Sequence, residues 1–241
     1  MDSNPVWMQE IASRWQLGDR FVIVHGGGPQ IDEQLKIEGV ESTFKNGFRL
    51  TTPEVMKVVE AVLTGSVLRS VVRSLIQAGL PAVGITGSDA QLLKVSVKDG
   101  GALGLVGEVD SVNPEILHHL LNGGFLPVVA PVANSAEGKA LNVNADLAAG
   151  AIAGALAAKE VLFMTDVPGI YRNWPDQSSF IDEISSSDLS KITFEGGMVP
   201  KVAAVINAIS SGAGAARIID GKSLTAFQDA LQGRGGTWVK A

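Results

Sequence analysis

Short apolar runs and longer helical patterns take turns along the chain. Phe21 to Val24, Ala82 to Ile85, Leu126 to Val132, Val161 to Met164 and Ala216 to Ile219 are aliphatic and bounded by Gly, Pro, Asp or Thr, as strands buried on both faces should be. Between them, Val55, Val58, Val59, Val62, Leu63, Val71, Val72, Leu75 and Ile76 recur at spacings near three and four. Residues 54 to 78 are therefore predicted to form one long or slightly broken amphipathic helix. Asn113 and Pro114 open another helix, which Gly123 and Gly124 close. Residues 145 to 158, 200 to 211 and 223 to 231 read as helical on the same grounds. Strand and helix in alternation predict an α/β fold with a parallel-dominated sheet covered on both sides.

Two insertions break the rhythm. Leu92 to Val97 and Leu103 to Val109 read as a hairpin turning at Lys98-Asp-Gly-Gly101. Residues 171 to 196, with Trp174-Pro175 and Ser185 to Ser187, are polar and suggest a surface excursion. No linker rich in Pro, Gly or Ser separates independent domains, so two lobes sharing one sheet are expected, parting near residue 144.

Composition narrows the partners. The 241 residues include no cysteine, which excludes disulfides, thiolate catalysis and Cys-based zinc sites and suits a reducing cytoplasm. Lys and Arg total 19 against 25 Asp and Glu, with no basic block, so a small solute is expected rather than nucleic acid. The apolar runs fall short of the roughly 20 residues that cross a bilayer. The opening Met-Asp-Ser-Asn-Pro lacks the parts of a signal peptide, and a soluble, cytoplasmic protein is expected.

The chemistry gathers where strands end. His25-Gly-Gly-Gly28 follows a strand and precedes Pro29, a residue suited to the first turn of a helix. The triplet is neither a P-loop nor a dinucleotide fingerprint. It serves either as a tight turn or as bare main chain offered to an anion at a helix start. His25 reads as a packing or hydrogen-bonding residue, and the adjacent His118 and His119 as solvated. In Asn142-Val-Asn-Ala-Asp146, Asn144 could merely cap a helix, or Asn142 and Asp146 could stand at the sheet edge where α/β folds bind ligands. Met164-Thr-Asp-Val-Pro-Gly169 has the same shape of strand, polar edge and turn. Gly196-Gly-Met-Val-Pro-Lys201 sets a lysine in a first helical turn, against the helix dipole, a poor choice for stability and a good one for holding phosphate beside free N–H groups.

HGGGPQID, then NGFR at 46 to 49, NVNAD at 142 to 146, TDVPG at 165 to 169 and GGMVPK at 196 to 201, in that order, resemble the amino-acid kinase family and within it the acetylglutamate branch. The likeness runs from about residue 6 to Gly236-Thr237. It implies a three-layer αβα sandwich on a mainly parallel sheet. An N-terminal lobe, about 1–143, would hold N-acetyl-L-glutamate and form a homodimer, and a C-terminal lobe, about 144–241, would hold MgATP. The implied reaction moves the γ-phosphoryl of ATP to a side-chain carboxylate. Carried over by position, Gly26 and Gly27 would offer amides to the phosphoryl and acceptor region, and Arg49 and Asn142 would hold the α-carboxylate. Lys201 would neutralise the phosphoryl, Asp146 would orient that lysine, and Asp166, Gly169, Gly197 and Met198 would line the nucleotide pocket. Mg²⁺ would ride on the phosphates, with no metal cage from the protein. A carrier-protein-linked aminoadipate or glutamate kinase, and a binding protein without turnover, remain alternatives.

The sequence departs from the family pattern in two places. Members usually open with a strand carrying Lys-x-Gly-Gly, whereas Val6, Trp7, Ile11, Ala12 and Trp15 here form the helix that customarily follows it. The same letters at Lys98 to Gly101 lie in the hairpin turn. Loss of one such charge contact costs on the order of 3 kcal/mol of barrier, roughly a hundredfold in rate. Ala90 also follows Ser88-Asp89 where another glycine is usual.

Overall fold

The computed structural model describes residues 5–241, so the reading of the first four residues, and of the Val6 side chain, lies outside the described part. The chain divides into two compact units, Met1–Ala148 and Ala149–Ala241.

In the first unit, α1 (Pro5–Gln16) buries Trp7, Met8 and Ile11. β1 (Ile23–Val24) leads through the glycine triplet into α2 (Gly28–Glu38), which Gly39 closes in the left-handed conformation. β2 (Phe44–Lys45) and β3 (Phe48–Arg49) form a hairpin. Its turn, Asn46-Gly47, has φ of 51° and 80°, the positive pair that matches the twist of the flanking strands. Next come α3 (Pro53–Glu60), capped by the Thr52 hydroxyl, and α4 (Leu68–Gln77). The predicted long helix exists, but its middle, Ala61–Val67, is wound as a π-helix.

β4 (Ala82–Thr86), β5 (Leu93–Val97), β6 (Val106–Val112), α5 (Glu115–Asn122), β7 (Leu126–Ala130), β8 (Val132–Asn134) and β9 (Ala140–Val143) complete this unit up to the start of α6 (Ala145–Ala155). β1, β7 and β4 pair in that order, all parallel, with β7 buried along its length. Pro127, which has no N–H to give, stands one residue before the β1 pairing begins at Val128. The single strand expected over Leu126 to Val132 breaks at Pro131, and β8 turns away to join a second sheet of order β5-β6-β9-β8. The predicted hairpin is the β5–β6 pair of that sheet. β1 is shorter than the expected Phe21 to Val24.

In the second unit, β10 (Val161–Thr165), β11 (Ile170–Tyr171), β12 (Phe180–Ile181), β13 (Glu183–Ser185), α7 (Ser186–Leu189), α8 (Met198–Ser210), β14 (Ala215–Asp220), α9 (Ala226–Leu231) and β15 (Thr237–Lys240) follow in turn. Their main sheet has the order β10-β14-β15-β13, with only the β14–β15 pair antiparallel. The polar stretch read as a surface excursion thus supplies an edge strand, β13, alongside the small β11–β12 ribbon. α6 and α8 pack closely because their facing residues are small: a Cβ on Gly150 would lie 2.5 Å from the Ala204 carbonyl oxygen. Among the described residues, parallel pairing occurs in three sheets: throughout β1-β7-β4, in the β6–β9 pair, and in the β10–β14 and β13–β15 pairs.

Candidate active site

Several predicted residues of the first unit come together around the start of α2. The Gly26 carbonyl accepts from the His25 ring, Nδ1 to oxygen 2.9 Å, and the Gly27 carbonyl accepts from the Ile31 amide at 2.9 Å. The Gly26 and Gly27 amides, by contrast, donate to nothing among the described residues. Gly27 has a steric reason to be glycine, since a Cβ would stand 2.7 Å from Leu63 and 3.3 Å from Val67 in the π-helical segment. A Cβ on Gly26 would lie 3.9 Å from that of Ala145, so the triplet adjoins the Asn142–Asp146 stretch.

His25 is fully buried, and its Nε2 has no hydrogen-bond partner among the described residues. Burial lowers its pKa below the ordinary 6.5, the hydrogen bond to Gly26 acting weakly the other way. The ring is therefore neutral near pH 7. An unmet buried acceptor costs about 1–3 kcal/mol, so something else must favour a histidine here.

Arg49 leaves the hairpin pointing inward. Its side chain is 5% exposed, pairs with the half-open Asp32 of α2 at 2.7 Å, donates to the Ser42 hydroxyl at 3.2 Å and reaches the Gly28 carbonyl at 3.5 Å. The guanidinium lies over the Phe44 ring, 4.6 Å from its centre, which holds the planar group flat. Asn142 lies within β9, in the side sheet and not at the parallel ladder's edge, and its Nδ2 donates to the Thr51 hydroxyl at 3.1 Å. Thr51, fully buried, passes its own proton to the Arg49 carbonyl at 2.8 Å. The two residues expected to grip a carboxylate are thus wired through a threonine the sequence reading passed over. Asn144 caps α6 through the Leu147 amide at 3.1 Å, and Asp146 follows in the first turn.

The second unit presents its predicted residues differently. Asp166 is exposed just past the carboxyl end of β10. Gly169 is buried, with no room for a Cβ between the Thr237 hydroxyl at 2.5 Å and the Phe180 ring at 2.8 Å. Gly197 caps α8 from open space, and Met198 and Lys201 lie in the first turn. The expectation of free N–H groups beside Lys201 holds only in part. Met198 and Val199 donate to the Glu195 and Gly196 carbonyls at 3.3 and 3.2 Å, and Pro200 has no N–H. A tight turn before the helix takes up these two amides, while the Gly196 and Gly197 amides donate to nothing among the described residues. An open cleft of the second unit, lined by Arg172, Ser185, Asp188, Lys191 and Lys240 among others, contains none of the predicted residues, and its lysines already face carboxylates.

A parallel ladder ending in a glycine-led helix start, beside a buried guanidinium, is an arrangement suited to small anions. The family comparison makes this specific: the model of the amino acid kinase family matches residues 5–220, and the chain belongs to that family. It is 45% identical to an acetylglutamate kinase of Arthrobacter sp. (strain FB24), across 89% of this chain and 74% of that protein. An acetylglutamate kinase of Prochlorococcus marinus (strain NATL2A) is 42% identical over 94% of this chain and 79% of its own. Among solved structures, smu.665 from Streptococcus mutans UA159 matches at a TM-score of 0.83 and 27% identity, covering 97% of this chain and 91% of that one. A carbamate kinase from Giardia lamblia bound to AMP-PNP shares the fold, at a TM-score of 0.74 and 19% identity over 98% and 88% of the two chains.

Proposed function

We propose that this chain is an ATP-dependent N-acetyl-L-glutamate kinase, forming N-acetyl-L-glutamyl 5-phosphate in arginine biosynthesis. A side-chain carboxylate oxygen attacks the γ-phosphorus of ATP, and the bond to the β-phosphate oxygen breaks to release ADP. The acceptor is already deprotonated, so no general base is needed, and the protein's task is to position two anions and offset their repulsion.

The observation that carries the reading is the Arg49–Thr51–Asn142 relay beside the uncommitted Gly26 and Gly27 amides. Arg49 offers the planar fork that suits the substrate's α-carboxylate, and Asn142 adds an amide donor. Gly26 and Gly27 meet the acceptor and the phosphoryl group. Lys201 supplies the charge that the α8 amides do not, with Asp146 orienting it, while Asp166, Gly169, Gly197 and Met198 line the nucleotide site. Mg²⁺ is carried on the phosphates of ATP. The residues up to about 143 serve the amino acid and a homodimer contact, those beyond serve the nucleotide, and the protein works in the cytoplasm.

A hydroxamate assay tests the reading. Acyl phosphate should accumulate only with ATP, Mg²⁺ and N-acetyl-L-glutamate together. Turnover of a carrier-linked aminoadipate in its place would overturn the substrate, and no turnover with any acceptor would overturn the activity.

A further inference from the structure

We propose that His25 is a positioning residue for phosphoryl transfer: its ring, carrying a proton on Nδ1, holds the Gly26–Gly27 peptide so that the Gly27 N–H faces the phosphoryl group. The inference rests on the functional reading above, in which that amide meets the phosphoryl.

The Gly26 carbonyl oxygen can only accept, so the ring nitrogen 2.9 Å away must be the donor, and that fixes the tautomer. The ring is itself immobilised. It is fully buried, and the His25 amide donates to the Val129 carbonyl at 3.3 Å, which extends the β1–β7 ladder by one residue. In a trans peptide the N–H points opposite to the C=O. Drawing the Gly26 carbonyl toward the ring therefore turns the Gly27 N–H away from it.

The linkage matters because both flanking residues are glycines. Without a Cβ on either side, the Gly26–Gly27 peptide plane can rotate through conformations closed to other residues. The next carbonyl along is tied by the Ile31 amide at 2.9 Å, but this plane has only the imidazole. Packing alone would be served by a leucine, which would leave no acceptor unmet. A histidine accepts that burden at Nε2 in exchange for a donor at Nδ1.

Three substitutions separate the roles. His25→Asn places an amide nitrogen where Nδ1 was, His25→Gln places one where Nε2 was, and His25→Leu removes both. In the ATP-dependent hydroxamate assay, H25N should keep kcat within about threefold, while H25Q and H25L lose about 30- to 100-fold with the KM for N-acetyl-L-glutamate moving less than about threefold. Nitrogen-15 spectra of the histidine rings should show a neutral Nδ1–H tautomer for His25. The Gly27 amide resonance should shift in H25Q and H25L and stay in place in H25N. A neutral Nε2–H tautomer, an H25L enzyme with wild-type kcat, or an H25N enzyme as slow as H25L would each overturn the proposal. If H25L does not fold, the Asn and Gln pair and the wild-type tautomer still decide it. A wild-type protein without acetylglutamate turnover would sink the functional reading, whereas the tautomer and the Gly27 resonance would still report on the peptide.

Discussion

The starts of α2 and α8 look alike in sequence, each a run of glycines followed by proline, yet they are built in opposite ways. At α2 the Gly27 site is crowded by Leu63 and Val67, and the Gly26 and Gly27 amides are uncommitted. At α8 the space around Gly197 is empty, and the Met198 and Val199 amides are spent on the preceding turn. Under the proposed function, one start would meet an anion with main-chain dipoles set against a packed wall, and the other with the side-chain cation of Lys201. Glycine in the first case is demanded by the protein's own interior, and in the second nothing in the structure crowds it.

That contrast can be broken most severely at Lys201. Replacing it with alanine should cut kcat by about 10²–10³-fold, because the amides around it cannot take over the charge; a fall of less than tenfold would mean that they can. On the α2 side, Arg49→Lys keeps the charge and loses the fork. The KM for N-acetyl-L-glutamate should rise about 10- to 100-fold with kcat changed far less, as steady-state kinetics would show.

The two glycines test the contrast directly. Gly27→Ala should cost about 1–3 kcal/mol in urea unfolding through overpacking, with Leu63→Ala restoring part of the loss. Gly197→Ala, whose φ of −67° any residue can adopt, should stay within about 0.5 kcal/mol of wild type and raise the KM for ATP instead. Equal destabilisation at both positions would erase the distinction.

Acidity should also separate them. His25 has its folded pKa depressed by burial, so the unfolded chain binds the extra proton first as pH drops. Stability is fully present above 6.5 and is lost as pH falls from there through the lower folded value. Thermal melts from pH 7.5 to 5 should show this slope, and H25N should flatten it. The α8 start has no histidine to contribute. A further small effect lies outside both. Ala90 sits at a φ of 51°, where glycine is unstrained, so Ala90→Gly should stabilise the fold by about 0.5–1 kcal/mol in the same unfolding assay.

Ala90 also shows what kind of information the sequence held. Its place in a customary glycine position was visible, whereas the left-handed backbone that explains the custom was not. The strands were legible because Ala82 to Ile85, Val161 to Met164 and Ala216 to Ile219 are short, mainly apolar runs with turn residues at both ends, although only the last is buried throughout and the other two are largely half-buried. The break at Pro131 was hidden, since a proline between Ala130 and Val132 fits a strand edge as well as a corner. The amide count at α8 escaped notice because it depends on a turn formed by Glu195 and Gly196, and side-chain identity says little about that. Arg49 could be chosen from its motif, but its partner Asp32 reads as an ordinary surface acid on a helix.

Thr51 was the hardest to see, and its chemistry has a consequence of its own. A hydroxyl owns a single hydrogen, and here the Arg49 carbonyl claims it, so the oxygen can only receive from Asn142. The direction of the whole chain of bonds is thereby set, and the carboxamide of Asn142 cannot turn over without leaving two like poles in contact. Serine could inherit this polarity, whereas valine, equal in outline, would silence it. At this position shape is cheap to imitate and orientation is not.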